Sequence, residues 1–162
     1  MKFTNSLIKG KLLKRYKRFF ADIKVNNKII TAHCPNTGSM QGLLDQGNEV
    51  LVTEHNDPKR KLKFTLEIIK AKKRYVGVNT HRANKIVNHG LENKLISEFK
   101  TIKNIKPEFK FSDDTRFDFL CDNYLIEVKN VTLFRENDIA EFPDAVTSVS
   151  YTHLTLPTIL LV

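Results

Sequence analysis

The hydrophobic positions change rhythm once along this chain. Up to about residue 79, apolar and polar residues alternate in short runs rich in β-branched and aromatic side chains, the pattern of half-buried strands. Arg15 to Val25 (RYKRFFADIKV) predicts one long strand. Asn26-Asn27 is a turn pair, because Asn tolerates positive φ, and Lys28 to Cys34 (KIITAHC) follows it, so 15–34 predicts a hairpin. Pro35-Asn36-Thr37-Gly38 breaks the pattern. Val50 to Thr53, Lys63 to Ile69 and Arg74 to Val78 predict further short strands. Several short strands in so little chain, with no strong helix among them, predict a small β-barrel.

From Asn79 the period lengthens. Ala83, Ile86 and Val87 have helical spacing, and Gly90 is placed to stop that helix. Leu91 to Phe99 predicts a second short helix. Ile105 to Phe111 is extended, with Pro107 confining it to an edge or a strand start. Thr115 to Cys121 and Tyr124 to Val131 predict strands. The expected order is a barrel-like unit followed by an α/β unit, with the boundary near 80–84.

The last two strands flank Asp122-Asn123. If those two residues form the loop of a hairpin, residues whose numbers sum to 245 lie opposite each other. One face then carries Cys121 with Tyr124, Phe119 with Ile126 and Phe117 with Val128, all apolar. The other carries Leu120 with Leu125, Asp118 with Glu127, and Arg116 with Lys129. Two carboxylates in direct apposition repel, at roughly 4.5–5.5 Å between Cβ atoms. A divalent cation would compensate them, because hard cations take carboxylate oxygens. Lys129, two residues beyond Glu127 on the same face, could hold or polarise a water beside the metal. These are working parts for phosphodiester hydrolysis. The alternative is a polar face in which Arg116 and Lys129 neutralise the acids, and a D…ExK spacing arises often by chance.

Composition adds bounds and one asymmetry. With 162 residues, 41% hydrophobic and 28% charged, the chain can bury a core. No stretch approaches the roughly 20 apolar residues of a membrane span, and the start lacks the apolar core of a secretory signal. Two cysteines, Cys34 and Cys121, make no disulfide framework, so a reduced cytoplasmic protein is expected. Residues 1–83 carry 18 Lys+Arg against 6 Asp+Glu, a balance of +12, whereas residues 84–162 carry 9 against 12, a balance of −3. An anionic partner for the first half is the implication, with nucleic acid the commonest; a solvated lysine-rich surface is the other reading.

The basic residues of the first half fall in two runs. Lys14, Arg15, Lys17 and Arg18 enclose Tyr16 and precede Phe19 and Phe20. Cations interleaved with aromatics suit a groove that follows a phosphate backbone and stacks bases. On a continuous strand, Tyr16 and Arg18 would point one way and Arg15 and Lys17 the other. Lys59-Arg60-Lys61, after Asp57-Pro58, predicts a basic loop tip, either a phosphate contact or a solvated loop. His33 and Cys34 face opposite sides of a strand and lack partners at zinc-ligand spacing. Asn36-Thr37-Gly38-Ser39 is either a tight turn or a set of backbone donors for a phosphate.

The stretches KGKLLKRYKRFFADIKV, TAHCPNTGSM, NDPKRKLKFTLE, VGVNTHRAN, DTRFDFLCD, IEVKNVTL and FPDAVT make the chain resemble the sugar fermentation stimulation protein A family, from about residue 8 to residue 147. The resemblance implies an N-terminal OB-fold over 1–82 and a nuclease-like α/β domain of the PD-(D/E)xK superfamily over 83–147. It implies a non-specific DNA-binding protein, a regulator of sugar (maltose) metabolism, with a metal-dependent DNA nuclease as the alternative and Mg2+ as the expected ion. On the matching motifs, Asp118, Glu127 and Lys129 take the catalytic positions. Glu108 in PEFKF becomes a third metal ligand, with Glu98 its rival. Asn79, Arg82 and Asn84 fall in a junction motif of undefined role, and Asp144 in FPDAVT is a natural helix N-cap. DNA contact falls to Lys14, Arg15, Lys17, Arg18, Lys59, Arg60 and Lys61. After Thr147 the family pattern stops. Residues 148–162 (SVSYTHLTLPTILLV) are uncharged and β-branched, and are expected to be a non-family tail on a truncated second domain.

Overall fold

The computed structural model describes residues 1–134 and 140–141. The chain divides into two compact units, one holding residues 2–80 with 131–134 and 140–141, the other holding 81–130.

The first unit is a closed five-stranded barrel. Strand β1 (Leu7–Tyr16) pairs antiparallel with β2 (Phe20–Val25), which pairs with β3 (Lys28–His33). The other edge of β1 pairs with β4 (Glu49–Glu54), and β4 with β5 (Phe64–Ala71). Parallel pairs Ala32↔Phe64 and His33↔Thr65 join β3 to β5 and close the circle in the order β1-β2-β3-β5-β4. Closure removes the exposed edges that a flat sheet would present. β6 (Arg74–Gly77) extends the sheet beyond β5.

β1 serves two partners by bending. Residues 7–11 pair with β4 and residues 11–16 with β2, and a register shift between Leu12 and Lys14 marks the bulge. Gly10 sits at that bend, where a Cβ would stand 2.5 Å from Ile23 Cγ2 and 3.0 Å from the Lys24 carbonyl oxygen. Only glycine fits a backbone approach this close. Alternate positions point inward, and Leu12, Ala21, Ile23, Ala32, Val50, Val52, Leu66 and Ile69 are fully buried there.

The single strand expected over 15–25 is two strands. Lys17 and Arg18 adopt φ values of 48° and 63° and reverse the chain between β1 and β2. No Gly, Pro, Asn or Asp announces this turn; tertiary contacts hold it. The Arg15 guanidinium donates to the Arg18 carbonyl at 2.9 and 3.2 Å and to the Asn36 carbonyl at 2.7 Å, and Cys34 N donates to the Phe19 carbonyl at 2.7 Å. The Asn26-Asn27 turn is as expected, with φ of 45° and 65° and Val25 opposite Lys28.

Within the barrel Glu67 is 2% exposed. A buried carboxylate needs donors, and Thr53 Oγ1 and Asn79 Nδ2 each donate to it at 2.8 Å. That gives Asn79 of the junction motif a structural duty.

In the second unit, helix α1 (Thr80–Glu92) runs straight through Gly90. The expected stop at Gly90 is corrected: the helix closes on Lys94, at φ 54°, with Leu95 N donating to Gly90 O at 2.8 Å and Lys94 N to Leu91 O at 3.1 Å. This is a Schellman closure without glycine at the left-handed position. Ile96 then covers Gly90, where a Cβ would lie 3.2 Å from its side chain. The buried stripe is Val87, Gly90 and Leu91, whereas Ile86 is 57% exposed. Of the expected second helix only one 3-10 turn forms, Ser97–Phe99.

Strands β7 (Ile105–Lys110), β8 (Arg116–Cys121) and β9 (Tyr124–Ile126) form an antiparallel sheet with β7 at the edge, as Pro107 required. Val87, Leu91, Phe99 and Ile102 pack with Phe119, Cys121 and Ile126 into a second core. β10 (Leu133–Phe134) and β11 (Ala140–Glu141) pair as a two-stranded ladder. Asp144 and the tail 148–162 lie outside the described residues.

Candidate functional site

The β8–β9 hairpin turns at Asp122-Asn123 in the expected register, with Cys121↔Tyr124, Leu120↔Leu125 and Phe119↔Ile126. Phe117, Phe119, Cys121 and Ile126 are buried, as the alternation demanded. The ladder ends there. The expected pairs Asp118–Glu127, Phe117–Val128 and Arg116–Lys129 do not form, because the Asp118 side chain takes the strand's next donor: Val128 N donates to Asp118 Oδ2 at 2.6 Å. Glu127 and Lys129 are the chain neighbours of Val128. Lys129 Nζ donates to Glu127 Oε1 at 2.9 Å, and both side chains are about one-third exposed or less.

Asn84 completes the arrangement. Its Nδ2 donates to Asp118 Oδ1 at 2.6 Å, so each Asp118 oxygen has a donor. Asn84 lies three residues before Val87 and seven before Leu91, on the helix face that is buried. A polar residue on that stripe was the signal in the sequence, read there only as part of a motif of undefined role.

Glu108 does not join the acids. It occupies φ 51° on edge strand β7, between the pairs Pro107↔Phe119 and Phe109↔Phe117, and its carboxylate lies 3.6 Å from Arg116. Glu98 is exposed and accepts from Ser97 Oγ at 2.6 Å, a bond that holds its carboxyl below the ordinary range. Among the described residues no three His, Cys, Asp or Glu side chains gather as a metal-binding group. Asp118 and Glu127 each have their own donors, Asn84 and Val128 N for the first and Lys129 for the second. Cys121 offers no nucleophile: burial, and then the Asp122 carboxylate, push its thiol up, disfavouring thiolate.

On the barrel, the basic residues divide by role. Lys14, Lys17 and Arg18 are exposed, with Lys14 Nζ 3.6 Å from Asp22 Oδ2. Arg15 instead spends its guanidinium on backbone carbonyls. In the second run Lys59 and Lys61 are exposed, while Arg60 donates to Thr65 Oγ1 at 2.9 Å and anchors the loop. Because Lys17 and Arg18 form a turn, the strand alternation expected for them does not apply. Thr37 and Ser39 are exposed on a loop whose Asn36 Oδ1 accepts from Gly38 N at 2.8 Å.

Residues 13–78 match the family model of the SfsA N-terminal OB domain, and residues 81–157 match that of the sugar fermentation stimulation protein RE domain. The chain is 63% identical over 158 residues to a sugar fermentation stimulation protein homolog of Pelagibacter ubique, covering 95% of this chain and 68% of that protein. The chain belongs to the sugar fermentation stimulation protein family. A homolog from Alteromonas mediterranea is 44% identical over 165 residues, with 94% of this chain and 69% of the relative covered. This chain therefore spans about two thirds of the length of these family members. The fold of the family is seen in the structure of Pyrococcus furiosus SfsA in complex with Ca2+, which superposes with a TM-score of 0.80 at 19% identity, covering 99% of this chain and 73% of that one. The second family model runs ten residues past Thr147, where the motif-by-motif resemblance stops. Among the described residues no helix is long and apolar enough to cross a membrane.

Proposed function

We propose that this chain binds DNA through the basic surface of its barrel, without sequence preference, and that the acidic site of its second unit acts on the same polyanion. The observation that carries the reading is the charge partition: residues 2–80 carry 17 Lys+Arg against 6 Asp+Glu, a balance of +11, on a barrel whose Lys11, Lys14, Lys17, Arg18, Lys24, Lys59 and Lys61 are exposed. Such a surface gains affinity by releasing counterions from a phosphate backbone, a term blind to sequence. The name of the relatives, sugar fermentation stimulation protein homolog, fits a role in sugar metabolism. Fluorescence anisotropy with labelled DNA over a salt series tests the reading; affinity falling steeply with salt supports it, and affinity indifferent to salt overturns it.

The second reading, a metal-dependent nuclease, is favoured by Asp118 accepting from the backbone of Val128, whose chain neighbours Glu127 and Lys129 are bonded to each other. Asp118 and Glu127 would hold a divalent cation such as Mg2+, which when bound activates water and stabilises charge on a phosphoryl oxygen. Asn84 and Val128 N fix the Asp118 carboxylate, and Lys129 sets a positive charge beside Glu127. The Ca2+ in the archaeal relative's complex fits a divalent site in this fold. Incubating plasmid with Mg2+ or Mn2+ and the protein or Asp118→Asn decides: cleavage lost in the variant supports a nuclease, and no metal-dependent cleavage by the wild type rejects it.

A further inference from the structure

Resting on the reading of the barrel as a DNA surface, we propose that the outer face of β1, β2 and β3 is a single-strand platform, on which an unpaired base stacks against the Tyr16 and Phe20 rings.

Register defines this face. Tyr16 pairs with Phe20 and Phe20 with His33; Lys14 pairs with Asp22 and Asp22 with Thr31; Lys11 pairs with Lys24 and Lys24 with Ile29. The intervening residues Leu12, Ala21, Ile23 and Ala32 are fully buried inside the barrel. Side chains alternate across a strand, so the three rows face outward. The aromatic row lies at one end, and the row holding Lys11, Lys24 and Ile29, all exposed, lies at the other.

The aromatic row is built for contact. The Tyr16 and Phe20 rings stack with centroids 5.4 Å apart and planes 20° from parallel, and both residues are half-buried, leaving part of their surface to solvent. Asp22 organises their surroundings. It accepts from Tyr16 Oη at 3.3 Å and from Thr31 Oγ1 at 2.8 Å, and lies 3.6 Å from Lys14 Nζ. Lys14 Nζ in turn stands 5.3 Å from the Tyr16 ring centroid. The acid is thereby neutralised, and the rings are fixed before any ligand arrives, which reduces the ordering cost of binding. Phe19, 47% exposed, follows in the turn that joins the two strands, beside Lys17 and Arg18.

This chemistry selects single strands. In a duplex both faces of each base are covered by neighbours, so the protein meets phosphates and groove edges. An unpaired base offers its π-face, and aromatic stacking with cations alongside is how sequence-tolerant single-strand sites work. The exposed lysines of the rows below provide for the backbone on either side of the stacked base.

The test compares, at one salt concentration, a short oligothymidylate, an abasic oligomer of equal length and charge, and a duplex. The wild type is expected to bind oligothymidylate about tenfold more tightly than the abasic oligomer. Phe20→Leu, and separately Tyr16→Leu, should close that gap, with melting curves confirming that each barrel is folded. Equal affinity of the wild type for the two oligomers overturns the platform, as does a gap that survives in folded Phe20→Leu. Duplex binding that persists in either case leaves the DNA reading standing, whereas no binding of any of the three sinks both.

Discussion

Asn84 on α1 donates its side-chain amide to Asp118 on β8 at 2.6 Å, while Val128 N occupies the other oxygen of the same carboxylate. The acid is thus held on two sides by groups that would lose their acceptor with it. Asp118→Ala is expected to cost about 1–3 kcal/mol of stability, because it strands two half-buried donors. Asn84→Ala should cost about 1 kcal/mol. The double variant should destabilise by less than the sum, since the two residues share one interaction. Denaturant titration of the four proteins measures the coupling; strict additivity contradicts it.

Arg15 and its neighbours separate structural from binding cations. Lys17→Ala and Arg18→Ala should each reduce the slope of log K against log salt for DNA by about 1, with small effects on melting. Arg15→Ala should do the reverse. It removes charged donors from two carbonyls that fasten the β1–β2 turn, at about 1.5–3 kcal/mol. Thermal melts beside salt titrations check both halves.

Gly10→Ala places a methyl 2.5 Å from Ile23 and 3.0 Å from a backbone oxygen that cannot swing aside. Overpacking of this kind costs about 1–3 kcal/mol. A lower melting temperature of the barrel is expected, and an unchanged one would mean that β1 and β2 part without cost.

Inside the barrel, Thr53→Val removes one of the donors that keep Glu67 buried. Val matches Thr in shape, so the change removes the hydroxyl's bonds, to Glu67 at 2.8 Å and with His55 Nε2 at 3.2 Å, without opening a cavity. The expected loss is about 1–3 kcal/mol, measured by chemical denaturation.

Asp122 makes acid stability partly predictable. Lys103 N donates to it at 3.1 Å, Asn104 N at 3.0 Å and Asn104 Nδ2 at 3.0 Å, and these bonds, the Lys103 one first, hold its carboxyl below the ordinary 3.8. A carboxyl depressed on folding stabilises the fold above pH 3.8 and loses that contribution as pH falls through its lower folded value. Asp122→Asn should therefore melt lower than the wild type at neutral pH, and the gap should close on acidification below 3.8. A gap that widens in acid has the wrong sign.

Legibility in the sequence followed the range of the forces involved. The Asn26-Asn27 and Asp122-Asn123 turns were readable because local backbone preference sets them, and each then imposed its register and buried face. The barrel was readable from strand alternation, and the charge partition from counting. Three features were not readable. The Lys17-Arg18 reversal depends on Arg15 reaching a carbonyl 21 residues away. The passage of α1 through Gly90 depends on Ile96 folding back over it. The end of the β8–β9 ladder depends on a side chain outcompeting a backbone carbonyl for Val128 N.

The sequence alone therefore determined the two Asn-containing turns, the register each imposes, and where the charge resides, since these follow from neighbours in the chain. Tertiary structure decided which cations remain available to a ligand, that the Asp118 side chain takes Val128 N, and that Asn84 belongs with Asp118. Those outcomes depend on hydrogen-bonding partners 10 to 34 residues apart, whose pairing exists only once the strands and helix have packed.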